Sequence, residues 1–183
     1  MGVSEPSPSF RYHPDPMSTG SVVASDAICP VCHLARGLTY VGPTYAVEEV
    51  EGLCPWCISE GAAARACDAQ FTDVEWGVPP GVPASVLDEI NLRTPGFAGW
   101  QQERWMYHCD DACAFIGRVG HRELDVLPSE AAAAVAEESE VMDKWTSDKA
   151  RDLVASLSRD GSPTGYLFQC LHCDAYKGYV DFD

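Results

Sequence analysis

The chain has 183 residues, 46% hydrophobic and 22% charged, which suits a packed globular core and is too apolar for a disordered polyanion. Acidic residues outnumber basic ones by 28 to 12, for a formal net charge of −16. Binding to phosphates is driven by Lys and Arg, so this balance argues against direct nucleic-acid recognition and favours a basic protein as partner. Nine cysteines are the outlier in the composition.

In chain order, the opening to residue 20 carries Pro6, Pro8, Pro14 and Pro16 without helical period and predicts an extended arm, ordered from Phe10 onward by Phe10 and Tyr12. Gly37–Val41 and Thr44–Val47 read as two short strands about the Gly42-Pro43 turn. The alanine-rich stretch Ile58–Ala66 reads as a helix running through Gly61. Pro79-Pro80-Gly81 marks a surface loop, and Val86, Leu87 and Ile90 predict a short helix that stops before Pro95-Gly96. A strand is expected at Arg122–Leu127, then a helix from Ser129, with Ser as cap and Glu130 near the positive dipole end. Ala150, Leu153, Val154 and Leu157 repeat at helical spacing up to Gly161 and Pro163, and Tyr166–Gln169 reads as a strand. Together these elements predict an α+β fold, with residues 1–20 as an arm and 21–183 as one zinc-stapled domain.

Neither a membrane span nor an export signal is expected. The longest apolar run, Ala131–Ala136, falls far short of the roughly 20 residues that cross a bilayer, and the first ten residues have neither a basic start nor an apolar stretch. Pro6 also stands where a myristoylation signal favours Ser or Thr. Cysteine-rich chains without such signals belong in a reducing compartment, and the expected location is the cytoplasm.

Eight cysteines fall in pairs: Cys29 with Cys32, Cys54 with Cys57, Cys109 with Cys113, and Cys170 with Cys173. Gaps of two or three residues let one tight turn aim both sulfurs at a single ion, and tetrahedral Zn²⁺ takes four thiolates. The first two pairs bracket the predicted hairpin, so they predict a zinc ribbon over about residues 27–60. The other two pairs are joined by elimination into a long-range second site, giving two Zn²⁺ per chain. His108, His172 and His33 each adjoin a cysteine, and any of them could replace a sulfur in a site of three cysteines and one histidine. Filling two four-thiolate sites would carry the formal charge from −16 to about −20. Cys-Pro-Val-Cys and Cys-Pro-Trp-Cys also resemble redox dithiols, but such a motif normally occurs once, in a βαβ setting. Cys67 has no partner in the pattern and reads as a small apolar residue.

Other features carry weaker chemistry. His13 and Asp15 in Tyr12–Pro16 could form an acid–base pair, but local hydrogen bonding in a proline-stiffened arm is the simpler reading. Arg93–Phe97, Trp100 and Trp105 could form an aromatic binding patch or belong to the core. Glu137-Glu138-Ser139-Glu140 reads as a solvated helix face, and His121 gets no role. No nucleotide loop, serine-nucleophile elbow or zinc-protease motif is present, and no catalytic residue is assigned.

Several phrases spread from residue 10 to 173 resemble the CbrC family, small bacterial proteins linked by name to colicin tolerance. They are Phe10-x-Tyr-His-Pro-Asp-Pro16, Thr19-Gly20, Arg36-Gly37, Tyr40-x-Gly-Pro43, Leu53–Ile58, Arg93–Phe97, Trp100-Gln101, His108-Cys109, Tyr166–Phe168 and Cys170-x-His-Cys173. The pairs at 29/32, 54/57 and 170/173 match that family's three Cys-x-x-Cys motifs; a charged Asp174 follows the last pair where Gly would turn more easily. The resemblance points to tolerance of a toxin and brings no catalytic residues. The combined expectation is a non-catalytic zinc protein that binds a basic protein, such as a nuclease-type toxin. The rivals are a zinc enzyme with an open metal position, with His108 or His172 in its shell, and a thiol redox protein.

Overall fold

A computed structural model of the chain describes residues 6–74, 77–143 and 146–183, with side chains undescribed over 138–143. Residues 1–5 and the side chains of Glu138, Ser139 and Glu140 therefore lie outside the described part. The chain divides into two compact units, one running to Val78 and including Pro83–Ala98, the other made of Pro79–Val82 and Gly99–Asp183. Helices and strands mix in both.

In the first unit, β1 (Val22–Ala24) pairs antiparallel with β2 (Leu38–Tyr40), Val22 opposite Tyr40. These strands flank the first cysteine pair, with an Ile28–Ala35 bridge between them and the pair at its end. The strand expected at 44–47 reduces to one bridge from Tyr45 to Gln70. The helix expected through Gly61 is two helices, α1 (Pro55–Ser59) and α2 (Ala62–Cys67). Gly61 adopts φ +67, donates its N–H to the Ile58 carbonyl and caps α2, so it ends one helix and starts the next. The third helix, α3 (Ala84–Arg93), stops before Pro95 as expected, because the residue before a proline is pushed out of the helical region. Phe10, Leu53, Trp56, Ile58, Ala63 and Phe71 pack with Cys29, Cys54 and Cys57 into one core cluster.

The opening arm is built into that unit from Phe10 onward. His13 is fully buried: its Nδ1–H donates to the Pro95 carbonyl at 2.7 Å, and its Nε2 lies 2.7 Å from the Thr19 hydroxyl. Burial lowers the imidazole pKa to about 4, against weaker opposing effects of the Pro95 bond and Asp15. The Tyr12–Pro16 and Arg93–Phe97 phrases thus meet as packing. Gly96 completes the contact, since a Cβ there would sit 1.9 Å from the Phe71 carbonyl oxygen.

The second unit holds a hairpin, β3 (Tyr107–His108) with β4 (Asp111–Ala112), and an antiparallel sheet ordered β5 (Ala114–Val119), β6 (Thr164–Gln169), β7 (Tyr176–Asp181). β6 is central and buried on both faces, as its apolar Tyr-Leu-Phe run predicts. Tyr166 stacks on Tyr179 at 4.9 Å, and Phe168 contacts Phe115 and Trp105. Trp105 is therefore core, and its indole N–H donates to the Cys113 carbonyl at 2.9 Å. Trp100 is 45% exposed, with its indole N–H on the Thr164 hydroxyl at 2.9 Å. The backbone N–H groups of Trp100 and Gln101 both donate to Asp181 Oδ2, pinning this segment to the end of β7.

The strand expected at 122–127 is instead a helical turn, α4 (His121–Leu124), because the Glu123 carboxylate accepts the Gly120 N–H and closes a cap. α5 (Ser129–Asp143) starts at the expected Ser and lies against β7. α6 (Ser147–Ser156) buries Ala150 and Leu153 and is capped by Thr146.

Candidate metal centres

The geometry begins with a short turn used twice. After Cys32, His33 takes φ +58, its N–H donates to the Cys29 carbonyl at 2.8 Å, and the Cys29 N–H donates to the Leu34 carbonyl at 3.0 Å. After Cys173, Asp174 takes φ +59 and the Cys170 N–H donates to the Ala175 carbonyl at 2.8 Å. Both are knuckles: a left-handed residue after the second cysteine folds the chain back, and Asp is among the residues that tolerate it. Backbone N–H groups then point at the first sulfur, from Cys54 in one case and His172 in the other, each at 3.4 Å.

Opposite the first knuckle stands a helix start. Cys54 is the N-cap of α1 with Pro55 following, and Cys57 lies one turn on, so both sulfurs face the same way. The expected ribbon of two hairpin knuckles is thus a knuckle and a helix start, because Pro55 and the apolar run after it nucleate helix. Cys29, Cys32, Cys54 and Cys57 place their sulfurs within 4.8 Å of one another. Two of the separations are 3.8 Å (Cys29–Cys57) and 3.7 Å (Cys32–Cys54). Four sulfurs held tetrahedrally at about 2.3 Å from one Zn²⁺ stand about 3.8 Å apart, whereas bonded sulfurs stand at about 2.05 Å. The donor set fits a metal ion and does not fit disulfides; all nine cysteines are free thiols.

Opposite the second knuckle stands the β3–β4 hairpin. Its two-residue turn, Cys109 and Asp110, has φ +53 and +56, the conformation that two-residue hairpin turns require. The second group is His108, Cys109, Cys170 and Cys173, also within 4.8 Å. Cys109 and Cys173 are 3.8 Å apart, and His108 Nδ1 lies 3.3 Å and 3.4 Å from their sulfurs. With Zn–N near 2.05 Å, tetrahedral N···S is about 3.6 Å, so three cysteines and one histidine fit the same ion.

The pairing of residue 109 with the knuckle at 170 and 173 is therefore present, but Cys113 is outside the group and His108 takes its place. The reason is the short hairpin. By residue 113 the chain has turned into the path of β5, and the Cys113 side chain is fully buried in the core. Burial pushes its thiol up to about 12, as it raises Cys54 and Cys57, so it is placement and not acidity that keeps Cys113 out of the group. His172 is not a donor either. Its Nε2 is 2.7 Å from the Asp111 carboxylate, which ties the knuckle to the hairpin from outside. His33 serves as the left-handed residue of its knuckle, and Cys67 packs partly buried against the first core cluster.

Each knuckle prepares one thiolate. For Cys29, burial raises the pKa, but N–H donation from Cys32, Cys54 and Val31 outweighs it and the thiol settles at about 7. Cys170 follows the same balance, with N–H groups of His172 and Cys173 and the His108 ring, to about 6. The partners are held up: burial takes Cys54 to about 11 and Cys57 higher, and sharing a proton with Cys173 takes Cys109 to about 11. One sulfur in each group is ready for a cation, and the ion displaces protons from the rest.

A cavity of about 330 Å³ in the second unit is lined by Gly120–Glu123 and Leu157–Asp160 and contains no donor of either group. Among the described residues, no helix is long and apolar enough to cross a membrane.

A mixed helix–strand protein with two four-donor clusters capable of holding metal is the class that these features define. The family model described as an uncharacterised protein family, UPF0167, matches residues 7–182, and the chain belongs to that family. It is 49% identical over 176 residues to a UPF0167 protein of Mycobacterium bovis, covering 96% of this chain and 93% of that one. A UPF0167 protein of Mycobacterium tuberculosis gives the same figures, 49% over 176 residues. A UPF0167 protein of Pseudomonas aeruginosa is 40% identical over 182 residues, 98% of this chain and 99% of that one. No solved structure matches the chain.

Proposed function

We propose that this is a non-catalytic, zinc-stapled protein that acts by binding a basic protein partner. The observation that supports the reading is that each group brings together four donors, enough to fill the tetrahedral sphere of one ion and leave no position for water or substrate. Zn²⁺ held by Cys29, Cys32, Cys54 and Cys57, and by His108, Cys109, Cys170 and Cys173, would supply cross-linking and folding free energy rather than Lewis-acid chemistry. The charge of −16 supports a basic partner, since complementary fields speed association and suppress wrong encounters. Free thiols at metal-binding spacing suit a reducing cytoplasm. The resemblance to the CbrC family supports the narrower form, in which the chain covers the basic nucleic-acid cleft of a nuclease-type toxin.

Elemental analysis of the purified chain should give two zinc ions, and a captured partner should elute as salt rises. The partner's activity is then assayed with and without the chain. Absence of zinc would sink the metal reading. A turnover activity lost in His172→Ala, with fold and zinc retained, would replace the binder with an enzyme.

A further inference from the structure

We infer that Cys109 and Cys173 form an oxidation site, at which a hydroperoxide converts two metal ligands into a disulfide and releases the ion of the second group. The inference rests on the metal-binding reading above. Sulfur spacing does not single out this pair, because Cys29–Cys57 and Cys32–Cys54 stand equally close at 3.8 Å and 3.7 Å. Access does. Cys29, Cys54 and Cys57 are buried at 0%, 1% and 3% exposure under Leu53, Trp56, Ile58 and Phe71. Cys109 and Cys173 are both exposed, at 3.8 Å from one another, while Cys170 beside them is buried.

The two sulfurs also sit on segments that can close the gap. Cys109 is at the tip of a two-residue turn and Cys173 at the tip of a knuckle, so neither is clamped inside a helix. Formation of the bond needs the sulfurs to approach from 3.8 Å to about 2.05 Å.

The chemistry balances with hydrogen peroxide as the oxidant. The Cys109 thiolate attacks one peroxide oxygen, the O–O bond breaks, and the leaving hydroxide takes a proton to become water. The Cys173 thiolate then attacks the resulting sulfenic sulfur. The S–S bond forms, the S–O bond breaks, and the second hydroxide takes a proton to become a second water. The two sulfurs lose two electrons and the peroxide gains them. His108 and Cys170 remain as two donors, too few to hold Zn²⁺ in its four-coordinate site.

The test uses the zinc-loaded full chain, with zinc counted before oxidant. Hydrogen peroxide is added, release is followed with a chromophoric chelator, and disulfides are mapped by non-reducing peptide mass spectrometry. One of the two ions should leave at least about tenfold faster than the other, with a Cys109–Cys173 crosslink that dithiothreitol and zinc reverse. Cys67→Ser and Cys113→Ser should leave the release unchanged. Equal release of both ions, a crosslink confined to residues 29–57, or release with Cys109 and Cys173 unmodified overturns the inference and leaves the metal reading standing. So does retention of both ions under peroxide that oxidises a free cysteine peptide. A chain with no zinc before oxidant overturns the metal reading and the inference together.

Discussion

Cys29 and Cys170 occupy equivalent places in two knuckles: each is followed two residues on by N–H groups that face its sulfur, and each has its thiol pKa lowered by them. What faces the knuckle differs. In the first unit it is the start of α1, whose Trp56 and Ile58 carry the metal group into a buried apolar cluster. In the second it is the tip of a hairpin, where one donor is a histidine and two of the sulfurs meet solvent. The same turn therefore builds two kinds of centre. On the metal-binding proposal, the one in the core should be inseparable from folding, and the one at the surface should exchange or react while the sheet of its unit, held by Tyr166, Phe168 and Tyr179, stays packed.

The sharpest way to break that comparison is to remove one ligand from each centre. Cys57→Ser should unfold the first unit, since it leaves a charged, incomplete site in the core; zinc content should fall from two to one and the near-ultraviolet signal of Trp56 should collapse. His108→Ala should also bring zinc to one after dialysis against a mild chelator, yet leave the strand signal of the β5–β7 sheet largely intact. If both variants unfold to the same extent, the two centres do not differ as described.

A smaller effect separates the units by pH. His13 titrates near 6.5 when unfolded and at about 4 when buried, so the folded first unit refuses a proton that the unfolded chain accepts. The stability it contributes is complete above pH 6.5 and is lost as pH falls toward 4, about 3 kcal/mol in all. Among the described residues the second unit has no buried counterpart, its histidines being exposed or half-buried. Urea titrations of wild type and His13→Gln at pH 7 and pH 4.5 should show the wild type losing more stability across that range; equal losses would remove His13 from the account.

Next comes Cys113→Ser, which should retain two zinc ions and cost about 1–3 kcal/mol by burying a hydroxyl in a thiol's place. Loss of an ion instead would restore Cys113 as a ligand and remove His108. The smallest expected change is Gly61→Ala. With φ +67 and a new Cβ 3.0 Å from the Arg65 guanidinium, it should cost about 1–2 kcal/mol and leave the zinc content unchanged.

Much of this architecture is legible in the residues themselves. Cys-x-x-Cys spacing announces the donors, because local geometry alone decides that two sulfurs can share an ion. The Ala150–Leu157 period, the Ser129 start and the Tyr166–Gln169 run give elements for the same local reason. Errors arise where a cap or a strand pairing overrides the preference that the residue types suggest. Arg122–Leu127 has strand-like residues, but the Glu123 cap on Gly120 closes a helical turn. β5 is missed because Gly117 interrupts the pattern and only pairing with β6 holds it as a strand.

The sequence by itself determined that sulfurs would gather in groups able to hold metal, how many donors were at hand, and the acidic charge that any partner meets. Tertiary structure alone decided which donors meet. Cys113 and His108 are equally plausible on the line of the chain, one on each side of Cys109. Only the two-residue turn, which holds Cys109 at its tip while the returning strand carries Cys113 into the core beneath Trp105, sends one inward and brings the other to the knuckle at Cys170 and Cys173. Placement settles the matter: His108 Nδ1 stands 3.3 Å and 3.4 Å from the sulfurs of Cys109 and Cys173, while Cys113 lies outside the group.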